Sequence, residues 1–434
     1  MRRFASVVFL GILASCTDTE SEHQITGSGD AVALVQIEAP DGALANALWQ
    51  RPSLTALRWE YQSALANFAA TKAATGWQSG GAITAGGYAA GGSAQAAGTA
   101  TLNAERVMAD GGRNAAAQAE ALLTANLTRN NYALAVDDIL FQFAVAILQH
   151  QQATHTVQIV GQQLSEYRAR EAQISQAAAI GVLTNSDLLT IQSGLTEIET
   201  VRASAQTQLR LAELQLSQLL PDPRGRADAI ARFERWSGQV PARLPNWRLA
   251  AADASVSLAE ARLQSAKVAN APTLSASGRL ESPLGDPAAT LFAGVRYQFT
   301  LSDGGLSQSN TAAAQAGWEA QRANRESLAL ELTTARRTLD VQLSGRAAQE
   351  ALLQERLAQS AERVDGLEKL MIAGRSDVAA LSREILAQAQ TRIALVNLQA
   401  QSQQDVLSFV RLHGATCALF SVCDQIELPQ VSAP

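Results

Sequence analysis

Two stretches of this chain, 114–180 and 307–373, each run for 67 residues without a proline. As straight helices they would span about 100 Å at ~1.5 Å per residue, several times the width of a globular domain. Helices of that length must pack on others along their course. In the second stretch Leu353, Leu357, Ala361, Val364, Leu367 and Met371 recur at steps of three and four, the seam of a coiled coil. Glu355, Arg356, Glu362 and Arg363 occupy the opposite face. The composition agrees, with aromatic residues at 5% and alanine, glutamine and leucine abundant, a balance of long helices with alanine-rich seams. A net charge of −6 with both signs interspersed offers no nucleic-acid surface.

The chain also repeats itself. Met108-Ala109-Asp110-Gly111-Gly112-Arg113 and Leu301-Ser302-Asp303-Gly304-Gly305-Leu306 lie 193 residues apart, each followed by an alanine-rich polar stretch. Gly181 and Gly374 keep that spacing, whereas Asp187 and Asp377 are 190 apart, which implies a three-residue deletion in the second turn. Prolines mark the joints: Pro221 and Pro223 close the first copy, Pro241 and Pro245 open the second, and Pro272, Pro283 and Pro287 bound a hairpin. The expected division is a first repeat at 40–220 with a hairpin at 80–108, a connector at 221–243, a second repeat at 244–413 with a hairpin at 272–301, and a tail at 414–434. Each copy reads as helix, strand pair, long helix, turn, helix, a mainly α fold with a small β part.

The second hairpin alternates strictly. Leu274, Ala276, Gly278 and Leu280 face one way and Ser275, Ser277, Arg279 and Glu281 the other. After the turn, Leu291, Ala293, Val295, Tyr297 and Phe299 alternate with Phe292, Gly294, Arg296, Gln298 and Thr300. Strands of about ten residues, apolar on one side and polar on the other, suit a membrane barrel. The first hairpin is barer, largely glycine, alanine and serine, and only 98–105 alternates well. Four strands cannot close a barrel, and an open edge in hydrocarbon leaves backbone groups unpaired.

The N-terminus indicates export. Met1-Arg2-Arg3 is basic, 4–13 is almost wholly apolar, and Leu13-Ala14-Ser15 leads into Cys16. The expectation is a lipoprotein signal at 1–15, lipidation of Cys16 and a linker at 16–39; an ordinary secretory signal is the other reading. No later run of some twenty consecutive apolar residues suggests a spanning helix. Cys417 and Cys423, the two remaining cysteines, have five residues between them in an apolar stretch and are expected to be bridged in an oxidising compartment.

With its two repeats, its Asp-Gly-Gly exits and its two tip turns, the chain resembles the outer-membrane factor family typified by TolC, from about Asp41 to Gly414. The resemblance implies a homotrimer in which three chains form a twelve-stranded outer-membrane barrel continued by a periplasmic helical barrel. It implies a passive exit duct of a tripartite efflux pump or a type I secretion system, partnered by a periplasmic adaptor, an inner-membrane transporter and outer-membrane lipid. It also implies a pore gate at Gly374, Arg375 and Asp377, with Asp377 in an acidic ring, and an adaptor-docking tip at Gly181, Val182 and Asp187. Ser186, Asp187, Ser376 and Asp377 suit helix caps equally. Ala380 departs from the family, where a second acidic residue often stands.

Nothing in the sequence gathers reactive groups. His150 and His155 share a helix at a spacing of five, which does not place them on one face, and no cysteine lies nearby. The Asp-Gly-Gly motifs lack the Gly-Lys-Ser/Thr of a phosphate loop and read as strand-to-helix turns. No enzyme activity, metal or cofactor is expected. A lipid-anchored structural or adhesive coiled coil is the alternative, and the alternating hairpin argues against it.

Overall fold

The computed structural model describes residues 40–90, 93–236, 246–283, 289–372, 378–414 and 416–429. Cys16, the signal and the linker, and the tip residues Gly374, Arg375 and Asp377, lie outside the described residues. The first repeat comprises α1 (Ala43–Trp49), α2 (Pro52–Ala73), β1 (Gln78–Ala90), β2 (Ser93–Ala109), α3 (Arg113–Ala179) and α4 (Asn185–Leu219). After α5 (Pro223–Glu234), the second comprises α6 (Trp247–Val268), β3 (Thr273–Pro283), β4 (Thr290–Gln298), α7 (Leu306–Ile372) and α8 (Val378–Leu412). The tail holds α9 (Thr416–Leu419) and α10 (Cys423–Ile426).

The duplication is closely kept in the helices. α2 and α6 have 22 residues each, α3 and α7 have 67, and α4 and α8 have 35. Each long helix begins one residue before the expected point, and α3 also ends one residue before it. The three-residue deletion is overturned. α3 and α7 begin 193 residues apart, at 113 and 306, and α4 and α8 end 193 apart, at 219 and 412, so the two spans are equal in length. Asp377 therefore corresponds in place to Thr184, and Asp187 to Ala380. The two Ser-Asp pairs match in chemistry and not in position.

The connector expected at 221–243 contains a helix. Asp222 accepts hydrogen bonds from the amides of Arg224 and Gly225, and Pro223 sits in the first turn, where its missing N–H costs nothing. α5 packs on α1 so closely that a Cβ at Gly225 would lie 2.5 Å from the Ala47 methyl. α3 contains a window apolar enough to cross a membrane by length and composition, yet 56% of that window is buried within the protein, as befits a core helix.

Apolar side chains gather in two clusters. The larger joins α1, α2 and the middle of α3 to α5 and the tail, with Leu44, Leu54, Tyr61, Phe143 and Phe420 fully buried. The smaller lies towards the α3–α4 turn, where Tyr167, Ile174, Ile191, Val364, Leu381 and Ile385 meet. Here the expected seam of α7 shifts. Ala361 is exposed and Ser360 is buried, donating to Glu384 at 2.7 Å. The seam runs 353, 357, 360, 364, 367 and 371, steps of four and three that keep the 3.5-residue period of a coiled coil. Most of α7 is nevertheless bare: among its described side chains Leu332, Ser360 and Val364 are the buried ones, while Leu330, Val341 and Leu352 are about two-thirds exposed.

The tail folds back on the larger cluster. A disulfide joins Cys417 and Cys423, whose Cα atoms are 5.0 Å apart. The loop it closes inserts Phe420 between Phe143 and Phe233, at ring distances of 6.2 and 6.0 Å. Arg232 donates to the carbonyls of Phe420 and Ser421, and Tyr61 donates to that of Pro429.

Candidate functional site

The four strands form one antiparallel sheet in the order β1-β2-β3-β4. Leu102 stands opposite Leu280, which stands opposite Leu291, and Ala276 stands opposite Val295, so these residues share a face. They are bare in the single chain, with Leu291 78% and Val295 71% exposed. At the end of β4, the rings of Tyr297 and Phe299 lie 5.6 Å apart. The other face carries Asn103, Glu105, Arg279 and Arg296, and the Arg296 guanidinium reaches Glu105 across the sheet at 3.9 Å. Phe292, on this polar face, lies over Gly294, where a Cβ would sit 2.7 Å from its ring. An aromatic covering a strand glycine supplies the packing that the glycine lacks. Among the described residues β1 and β4 each present an unpaired edge.

The first hairpin is longer than its sequence suggests: β1 has 13 residues and β2 has 17. Its glycines and alanines pair continuously, from Gln78 with Glu105 to Ala90 with Ser93. Register here comes from backbone pairing and from β3, which tolerates small side chains that alternation cannot reveal.

Both Asp-Gly-Gly motifs turn strand into helix. The Asp110 carboxylate accepts from the amides of Gly112 and Asn114, and that of Asp303 from Gly305 and Ser307, so each aspartate holds the first turn of a long helix. The Ser307 hydroxyl and amide, the Gly305 amide and the Asn270 side chain hold the Asp303 carboxyl down at about 2. Asn270 follows α6, so this cluster also ties the entry of β3 to the exit of β4. All four glycines have positive φ, between 62° and 92°. Gly111 and Gly112 differ in surroundings: a Cβ at Gly111 would lie 2.4 Å from the Ala271 methyl, and at Gly112 it would meet nothing within 4 Å. Gly111→Ala is expected to destabilise the protein by about 1 to 3 kcal/mol through strain plus collision, and Gly112→Ala by less. Thermal unfolding of the two variants distinguishes them, and equal losses would remove the Ala271 contact from the argument.

At the opposite end, α3 closes with Gly181 at φ 77°, and the amide of Val182 donates to the carbonyl of Ala177 at 2.9 Å. That is a Schellman ending. Ile180 and Val182 project outward, 77% and 69% exposed. Thr184 then starts α4 with a capping box: its hydroxyl accepts from the Asp187 amide, and the Asp187 carboxylate accepts from the Thr184 amide. The cap is Thr184, not Ser186 or Asp187, and the Thr-x-x-Asp spacing is the readable signal for it.

Above the tip the two helix pairs are cross-linked. Arg170 of α3 meets Glu368 of α7 at 2.6 Å, and Tyr167 shares a hydrogen bond with Ser382 of α8. Gly194 of α4 makes room for that tyrosine. Burial disfavours ionisation of Glu384, and the hydrogen bonds from Ser360 and Arg363 outweigh it, so its carboxyl lies below the usual range. Among the described residues no three His, Cys, Asp or Glu side chains are grouped to hold a metal.

No protein-family model matches the chain, and no curated protein matches it by sequence. Solved structures do match. The chain is similar to the outer membrane protein VceC of Vibrio cholerae, with a TM-score of 0.75 and 16% identity over 86% of this chain and 96% of that one. It is similar to CusC, studied for transmembrane channel formation, with a TM-score of 0.74 and 17% identity over 85% and 91%. The open state of the Neisseria gonorrhoeae MtrE outer membrane channel gives 0.72 and 14% over 86% and 88%. At these identities the likeness is one of fold, and the chain has the fold of outer-membrane channels.

Proposed function

We propose that the chain is a member of the TolC-like outer-membrane factor family, a passive exit duct and not an enzyme. The observation that carries this reading is a sheet with one apolar face, one charged face and two open edges, joined to helices of about 100 Å. Each unpaired backbone group on an open edge costs several kcal/mol in hydrocarbon, so the sheet needs partners there. Three chains contribute twelve strands and close the circle, with Arg279, Arg296 and Glu105 lining the pore and Leu102, Leu280 and Leu291 facing lipid. The helices continue the tube through the periplasm, and Cys16 carries the lipid anchor.

The tip is the gate and the docking site. Gly374, Arg375 and Asp377 narrow the pore, and Gly181 and Val182 with the bare Ile180 offer an apolar knob, with Asp187 beside it, to a periplasmic adaptor that links the duct to an inner-membrane transporter. By the 193-residue spacing Asp377 takes the place that Thr184 has in the first copy, so we assign it a capping role for α8 beside its role in the pore. Both an efflux pump and a type I secretion system fit a duct of this kind.

The test is heat-modifiable migration of detergent-extracted outer membranes, followed by reconstitution in planar bilayers. A trimer-sized band that collapses on boiling, and discrete conductance steps, are the expected results. A monomer before boiling, with no conductance, would overturn the reading.

A further inference from the structure

One charged residue stands on the wrong face of the sheet. Arg106 pairs with Ala276, which pairs with Val295, so its side chain belongs to the apolar face with Leu102, Leu280 and Leu291. It is exposed and makes no ion pair among the described residues. Directly after it the register of β2 against β3 shifts between Val107 and Ala109, a bulge of the kind that re-aims side chains and ends pairing. Gln78, the first residue of β1, pairs with Glu105, and Trp77, 58% exposed, directly precedes it, as Arg106 directly follows Glu105. One row closer to the helices, Tyr297 is 61% exposed and Phe299 lies beyond it, 57% exposed.

We propose that Arg106, with Trp77 beside it, holds the phosphate of a phospholipid at the rim of the sheet nearest the helices. The inference rests on the membrane reading above and adds the ligand. A guanidinium on a lipid-facing strand is tolerated where it can reach the headgroup layer, and a phosphate is the anion that layer offers. Tryptophan and tyrosine mark the same level, because their rings favour the boundary between hydrocarbon and water. The apolar row towards Leu291 fits the acyl chains. The 193-residue spacing places Phe299 where the first copy has Arg106, so the two halves meet the headgroup layer with different chemistry.

The full-length protein, stripped of lipid in mild detergent and resupplied with phosphatidylglycerol, can be examined by native mass spectrometry. The wild type is expected to retain the lipid. Retention should fall about fivefold in Arg106→Gln, the effect of one basic residue at a membrane surface, and return in Arg106→Lys. Arg279→Gln removes the same charge from the opposite face and should retain the lipid fully. Equal retention by the wild type and Arg106→Gln, in an intact trimer, overturns the lipid site alone. Displacement by millimolar inorganic phosphate overturns it as a site for lipid. A wild type without an oligomer overturns the barrel reading and the lipid site with it.

Discussion

Arginine in place of Leu291 should reduce assembly in the outer membrane by about 2 to 4 kcal/mol, the range for a cation near the middle of a barrel's lipid face. Leu291 lies four residues along β4 from Val295, about 13 Å at ~3.3 Å per residue, and the Val295 row also carries Arg106. That row lies near the headgroups in the arrangement proposed here. Val295→Arg should therefore cost only about 0 to 1 kcal/mol. Ser277→Arg, on the polar face opposite Gly294, should be tolerated. The readout is the heat-modifiable fraction of the protein in outer-membrane preparations. Equal losses at Leu291 and Ser277 would mean that both faces meet the same solvent, and the barrel would have to be abandoned.

Phe143→Ala is expected to cost about 3 to 5 kcal/mol. The ring is fully buried in the middle of α3, where it meets Phe420 from the disulfide-closed loop, and Phe420 in turn meets Phe233 of α5. One side chain thus touches the means by which connector and tail are both held to the long helix. Thermal unfolding followed by circular dichroism measures the loss. In a double-mutant cycle Phe143→Ala and Phe420→Ala should be non-additive, because they share a contact. Strict additivity would show that the tail is held by its backbone bonds from Arg232 and not by the aromatic stack.

Much of this architecture is legible before any coordinate. An unbroken run without proline specifies a long helix, and strict alternation from Leu274 to Leu280 specifies a strand, because both signals repeat many times. Single-residue readings fare worse. Ser186-Asp187 and Ser376-Asp377 look like equivalents, yet the 193-residue spacing aligns Thr184 with Asp377. Ala361 looks like a seam residue because it is apolar, but the small hydroxyl of Ser360 fits the seam and finds Glu384. α5 was signalled by Asp222-Pro223, a cap followed by a first-turn proline, and the surrounding prolines masked it as a joint. Arg106 breaks the alternation of β2 by one residue, which reads as noise until pairing shows the face it shares.

The two long helices have equal length and unequal protection. α3 buries eighteen of its side chains, whereas α7 buries Leu332, Ser360 and Val364. α6 and α8 lie along one side of α7, and its other side is left bare for a further partner. If that partner is a sister chain, the last step of folding is a collision, and its rate follows the concentration of newly exported chains. Dilution in the periplasm would then lengthen the time for which α7 stands open to proteases, and apparent stability would rise with expression level.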